Sequence, residues 1–243
     1  MRENEFIRFS LFQNFRLLLP PGVEESSVSG LIFTLDCVSF LFSYQIPEIR
    51  DKKLTVIINE AGPMCLREQS TVLMNCGIFS WSQAAYQFAH EICHLSIPGN
   101  VCERLRWLEE TICEASSLYI LPRMTSLWKA LNLKYSISGK ELYLHSFSAY
   151  AEDVSKNVTP FDLKDELEIS SLEADCYQRE KNRYAALQLL PIFIEHPDLW
   201  KAVPYLSQIR GNLPLQSLLL QWREISPSHL RSLIEQVPAR LLH

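Results

Sequence analysis

The sequence predicts an α+β fold, with a small N-terminal sheet next to one amphipathic helix and a mostly helical C-terminal lobe after it. Two β-branched runs, residues 53–60 and 71–77, read as strands bounded by turn residues. The stretch from Trp81 to Leu95 carries apolar residues at helical spacing. From Val101 onward, helical periodicity recurs between prolines, and the whole chain has only 7 glycines.

The longest apolar run, residues 31–44, is interrupted by Asp36 and is too short to span a bilayer, so it reads as a buried helix near residues 27–45. Lys53-Leu-Thr-Val-Ile-Ile-Asn-Glu60 follows as a strand. After Ala61-Gly62-Pro63, residues 71–77 form a second one. A helix then begins near Ser80 or Ser82, either of which can cap it, and Pro98-Gly99 stops it. Later helices are expected near residues 103–121, 124–134, 140–155, 171–195, 197–209, 214–224 and 227–237. Breaks fall at Pro160, Pro197, Pro214 and Pro227, while Pro191 either breaks or kinks its helix. Leu215, Leu218, Leu219 and Trp222 lie at i, i+3, i+4 and i+7 and read as core.

The most informative residues are His90-Glu91-Ile92-Cys93-His94, an HExxH pattern. On a helix wheel His90 and His94 lie about 40° apart, so the two imidazoles can share one metal ion. Gln83, Gln87 and, more loosely, Tyr86 share their side. Trp81, Ala84, Ala85, Phe88, Ile92 and Leu95 gather opposite, which places the histidines on the face that stays out of the core. Cys93 points to one side of the pair and reads as a small packed residue.

Catalytic zinc takes three protein ligands and keeps one position open. The HExxHxxGxxH version fails, because Ile97 and Asn100 stand at the glycine and third-histidine positions. On the next helix, Leu105, Leu108, Ile112, Ala115 and Tyr119 make an apolar stripe, and Glu110 and Glu114 lie together on the other face. Glu109 falls about 100° from Glu110, at the margin of the stripe. A solvated helix face with ion pairs to Arg104 and Arg106 would account for the same two glutamates.

His90-Glu91-x-x-His94 followed by Glu110-x-x-Cys113-Glu114 resembles the gluzincin branch of the zincin metallopeptidases, over about residues 53–122. The run Leu118-Tyr-Ile-Leu-Pro122 loosely resembles the soluble ImmA/IrrE-type peptidases, whose second helix ends near a proline. The resemblance implies a zincin-like fold in which Zn2+ is held by His90, His94 and Glu110, with Glu114 orienting a ligating histidine. It also implies hydrolysis of peptide bonds, with Glu91 as the base acting on the water the metal activates. Cys113 stands where alanine is usual and Glu114 where aspartate or asparagine is usual, which leaves the choice of third ligand open between Glu110 and Glu114. An oxyanion donor is expected from the C-terminal half. Tyr177, Arg179 and His145 are the candidates, the first two on a polar helix, residues 175–184, that also carries Arg183.

Composition sets the remaining expectations. The length suits one zincin-like domain, 1–243, with possible sublobes 1–100 and 101–243. The formal charge of −5 with no basic block gives no case for nucleic acid. Seven scattered cysteines and no secretory signal suit a cytoplasmic protein with free thiols. The expected partner is a peptide or protein substrate, with no membrane role. Two alternatives to a zinc peptidase stand: a catalytically inactive zincin-like module that binds a protein, and a helical structural protein whose HExxH is accidental.

Overall fold

The computed structural model describes residues 4–9, 14–131, 143 and 145–242. The fold is α+β, with a small sheet and a predominantly helical remainder. The expected helical stretches at 132–134 and 140–142 lie outside the described residues.

Five strands form one sheet in the order β1-β2-β3-β5-β4: β1 Asn4–Phe9, β2 Asn14–Leu19, β3 Leu54–Ile58, β4 Met64–Leu66 and β5 Thr71–Met74. The two strands read from the sequence are β3 and β5, side by side and parallel, with Val56 opposite Val72. In β3 the alternation works as expected, Leu54, Val56 and Ile58 being buried and Thr55 and Ile57 half-buried. β2 adds to β3 in parallel, β1 to β2 antiparallel, and β4 to β5 antiparallel, so β1 and β4 are the edges. None of β1, β2 and β4 was read as a strand. A three-residue strand such as β4 is too short to show a period of two.

α1, Ser29–Gln45, is the buried apolar helix the sequence predicts. Gly30 lets it meet the next helix: a Cβ there would sit 2.0 Å from the Trp81 ring. α2, Trp81–Ser96, carries HExxH. Trp81 joins Phe33, Trp128, Tyr143 and Phe147 in one aromatic cluster.

α3 corrects two expectations. It is one helix, Arg106–Leu131, running through Pro122. Pro122 is exposed while Ile120, Leu121, Met124 and Trp128 around it are fully buried. Packing on both sides of the proline offsets its roughly 3 kcal/mol penalty. Nor is α3 amphipathic in its middle, since every residue from 111 to 121 is buried.

The remaining helices are α4 Ser146–Ser155, α5 Glu166–Ala174, α6 Arg179–Glu195, α7 Leu215–Ile225, α8 Arg231–Ile234 and α9 Gln236–Leu242. The expected helix 171–195 is interrupted at residues 175–178. There the Asp175 carboxylate accepts the Tyr177 N–H at 3.0 Å, and Gln178 Nε2 donates to the Ser171 carbonyl at 2.7 Å. This aspartate turn competes with the helix and wins. Pro191 lies inside α6 without ending it, and Pro197–Gln208 is a run of 3₁₀ turns. α7 buries Leu215, Leu218, Leu219 and Trp222 as its spacing predicts.

The chain divides into two compact units, Met1–Leu95 with Ile120–Val154, and Ser96–Tyr119 with Ser155–His243. α3 contributes to both units. The core of the first holds Leu17, Val56, Val72, Phe88 and Ile92, and that of the second Trp107, Phe193, Trp200 and Trp222.

Candidate metal centre

Ser80 immediately precedes α2, and its carbonyl accepts the Ala84 N–H at 2.8 Å. Ser82 is not the cap; its hydroxyl donates to Ser146 Oγ at 3.0 Å. The polar face of α2 then does two jobs in sequence. In its first turns Gln83 and Gln87 donate to the Asn75 carbonyl, at 3.1 and 2.9 Å, and the Gln87 oxygen accepts the Asn75 N–H at 3.0 Å. This pins the helix to the end of β5. One turn further on the same face presents His90, then His94.

That face does not stay out of the core, as the sequence reading had it. Glu91 is 4 % exposed and His94 8 %, while His90 is half-buried. Burying polar groups is tolerated only when they find partners, and the pinning bonds to Asn75 supply them for Gln87. At its C-terminal end α2 leaves carbonyls without intrahelical donors. Lys52 Nζ donates to the Leu95 carbonyl at 2.7 Å and Arg67 Nε to the His94 carbonyl at 3.0 Å. Two cations at a helix C-terminus also suit its dipole. Burial lowers the Lys52 pKa, opposed by Cys65 and reinforced by Arg67.

The ligand atoms of His90, His94 and Glu110 all lie within 4.8 Å of one another. The two Nε2 atoms are 3.2 Å apart, with the rings edge to face. Zinc–nitrogen bonds of about 2.0–2.1 Å at tetrahedral angles would set two ligand nitrogens about 3.3 Å apart. Two imidazoles and one carboxylate therefore fit such an ion in chemistry and in spacing, and this group could hold one.

The neighbouring acids are placed differently. Glu114, buried, accepts from Arg183 Nε at 2.7 Å, an ion pair between α3 and α6. Glu109, expected at the margin of the apolar stripe, is also buried, 5 % exposed. Arg104, which a solvated helix face would pair with Glu110 or Glu114, holds Glu173 at 2.9 Å and the Leu213 carbonyl at 2.8 Å. The Cys65 thiol on β4 is pushed up to about 12, first by burial and then by the Glu91 carboxylate, against Arg67 and Lys52. The edge strand β4 and its following turn thus adjoin the HExxH face.

Among the donor candidates, Tyr177 lies within electrostatic reach of Glu110. Cys176, partial burial and then Glu110 raise its pKa. It sits on the turn before α6, 75 % exposed, rather than on a helix. Arg179, in the first turn of α6, and His145, before α4, are exposed. Arg67 and Lys52 were not singled out in the sequence. Two cations fourteen residues or more before α2 carry no spacing that would announce them.

No family model matches the chain, and no curated protein matches it. Among solved structures it is similar to two chains of an M1 zinc metallopeptidase from Deinococcus radiodurans, both of mutant protein, one bound to a Tyr-Ser-Ala substrate. Identities are 10 % and 13 %, with 99 % and 100 % of this chain covered and a TM-score of 0.49 in both. This chain spans about half the length of those it matches, 52 % and 51 %. At that TM-score the likeness identifies neither a shared fold nor a shared chemistry.

Proposed function

We propose that the chain is a zinc-dependent peptidase of zincin type, acting on a peptide or protein substrate. The observation that carries this reading is the convergence of His90, His94 and Glu110 within 4.8 Å, next to a buried glutamate that the same pattern supplies as a base. His90, His94 and Glu110 would hold the ion. When bound, zinc supplies Lewis acidity toward a water molecule and the scissile carbonyl.

The remaining chemistry belongs to the chain. Glu91 takes the proton of the attacking water and returns it to the leaving amine. Its position one residue from a ligand but about 80° off the metal face suits reach without ligation. The donor to the developing oxyanion is sought among Tyr177, Arg179 and His145. Arg183 neutralises Glu114, so the carboxylate behind Glu110 adds no uncompensated negative charge.

Glu91→Gln keeps the side-chain shape and removes the base. The variant is expected to keep its zinc and its melting temperature and to lose at least a hundredfold in peptide cleavage, as removal of a general base does. The check is cleavage of a peptide library by both proteins, followed by mass spectrometry. Equal cleavage by wild type and Glu91→Gln would remove Glu91 from the mechanism. A protein partner bound equally by both, with no peptide cut by either, would replace the enzyme with the binding module.

A further inference from the structure

His94 is tied to Arg67 twice. Arg67 Nε donates to the His94 carbonyl at 3.0 Å, and Arg67 Nη2 stands 3.3 Å from His94 Nδ1. A guanidinium has five N–H donors, no acceptor and no accessible neutral form. The ring nitrogen facing it must therefore present a lone pair, and a neutral imidazole with a bare Nδ1 carries its proton on Nε2. Yet Nε2 is the nitrogen 3.2 Å from His90 Nε2, turned toward the metal-binding group. A ligating nitrogen needs its own lone pair. Arg67 and a metal ion make opposite demands on one ring.

Resting on the zinc reading above, we propose that Arg67 holds His94 in the tautomer that does not ligate, and thereby sets how tightly the centre binds metal. For His94 to bind through Nε2, Arg67 Nη2 withdraws and the proton passes through solvent from Nε2 to Nδ1. No net proton is gained or lost. The bond from Arg67 Nε to the His94 carbonyl is unaffected by this exchange and keeps the helix end anchored. Ligating histidines ordinarily give their second N–H to a carboxylate or carbonyl, which strengthens them as ligands. Here the neighbour is a cation, which weakens the ligand and repels the ion. Arg67 is held in place by its own turn, where its carbonyl accepts the Ser70 N–H at 3.1 Å and Ser70 is left-handed at φ 48°.

Arg67→Gln tests this, because its amide keeps a donor for the His94 carbonyl and adds an oxygen that can accept from Nδ1–H. Zinc affinity is measured by competition with a chromophoric chelator for wild type, Arg67→Gln, Arg67→Lys and His90→Ala. Arg67→Gln is expected to bind about tenfold tighter, the low end of what a partner of a ligating histidine contributes, with Arg67→Lys no tighter than wild type. Unchanged or weaker binding by a folded Arg67→Gln overturns the inference. Nitrogen NMR of the metal-free wild type gives a second reading, independent of any variant: a His94 ring with its proton on Nδ1 also overturns it. The underlying zinc assignment fails separately, if His90→Ala binds zinc as well as wild type does.

Discussion

Two adjacent glutamates show what a single residue's position decides. Glu109 and Glu110 differ by about 100° on α3, and the structure buries the first while bringing the second to His90 and His94. Glu110→Ala is therefore expected to weaken zinc binding at least a hundredfold with a modest change in stability. Glu109→Ala is expected to leave affinity within about threefold and to cost about 2–4 kcal/mol, because the groups that satisfy a buried carboxylate lose their partner. Chelator competition and thermal melting on both variants separate the two effects, and reversed results would exchange the roles. Glu110 was legible as a candidate because it shares the polar face with Glu114 at i and i+4. What separates their surroundings was not, since Glu114 pairs with Arg183, 69 residues away, a pairing no local spacing encodes. Arg67 was invisible for the same reason, lying 27 residues from the histidine it touches.

At the scale of elements, legibility followed how far each element owes its form to its own pattern. α1, β3, β5 and α2 carry strong periodicity or β-branched runs, and all four stand where the sequence puts them. β4 is a strand because β5 pairs with it, and α3 crosses Pro122 because both flanks are buried. These are decisions of packing, taken outside the segment. The proline supplies a direct test. Since Pro122 is exposed and its neighbours are already helical, Pro122→Ala restores the missing N–H and removes the ring clash. It should stabilise the protein by about 1–3 kcal/mol, read as a higher midpoint in urea. A lower midpoint would mean that the proline shapes α3 in a way the packing needs.

Over the whole molecule, the seven cysteines are free, and among the described residues no helix is long and apolar enough to cross a membrane. Burial pushes Cys65 up to about 12, with the Glu91 carboxylate adding to it, and Cys76 up to about 11; Cys37 is raised further, by burial and Asp36. Alkylation needs the thiolate, so these thiols should react slowly at pH 7–8 and faster as pH rises toward 11. Iodoacetamide labelling of native protein should find Cys102 and Cys176, both half-buried, ahead of Cys37, Cys93 and Cys113. Early labelling of the buried three would show that the cores open readily. Whether His90, His94 and Glu110 form one metal centre is decided by equilibrium dialysis of the metal-stripped, tag-free protein against buffered zinc. One tightly held zinc per chain is expected, lost when His94 is replaced by alanine. A folded wild type that retains none, or a His94→Ala variant that retains the same amount, would contradict it.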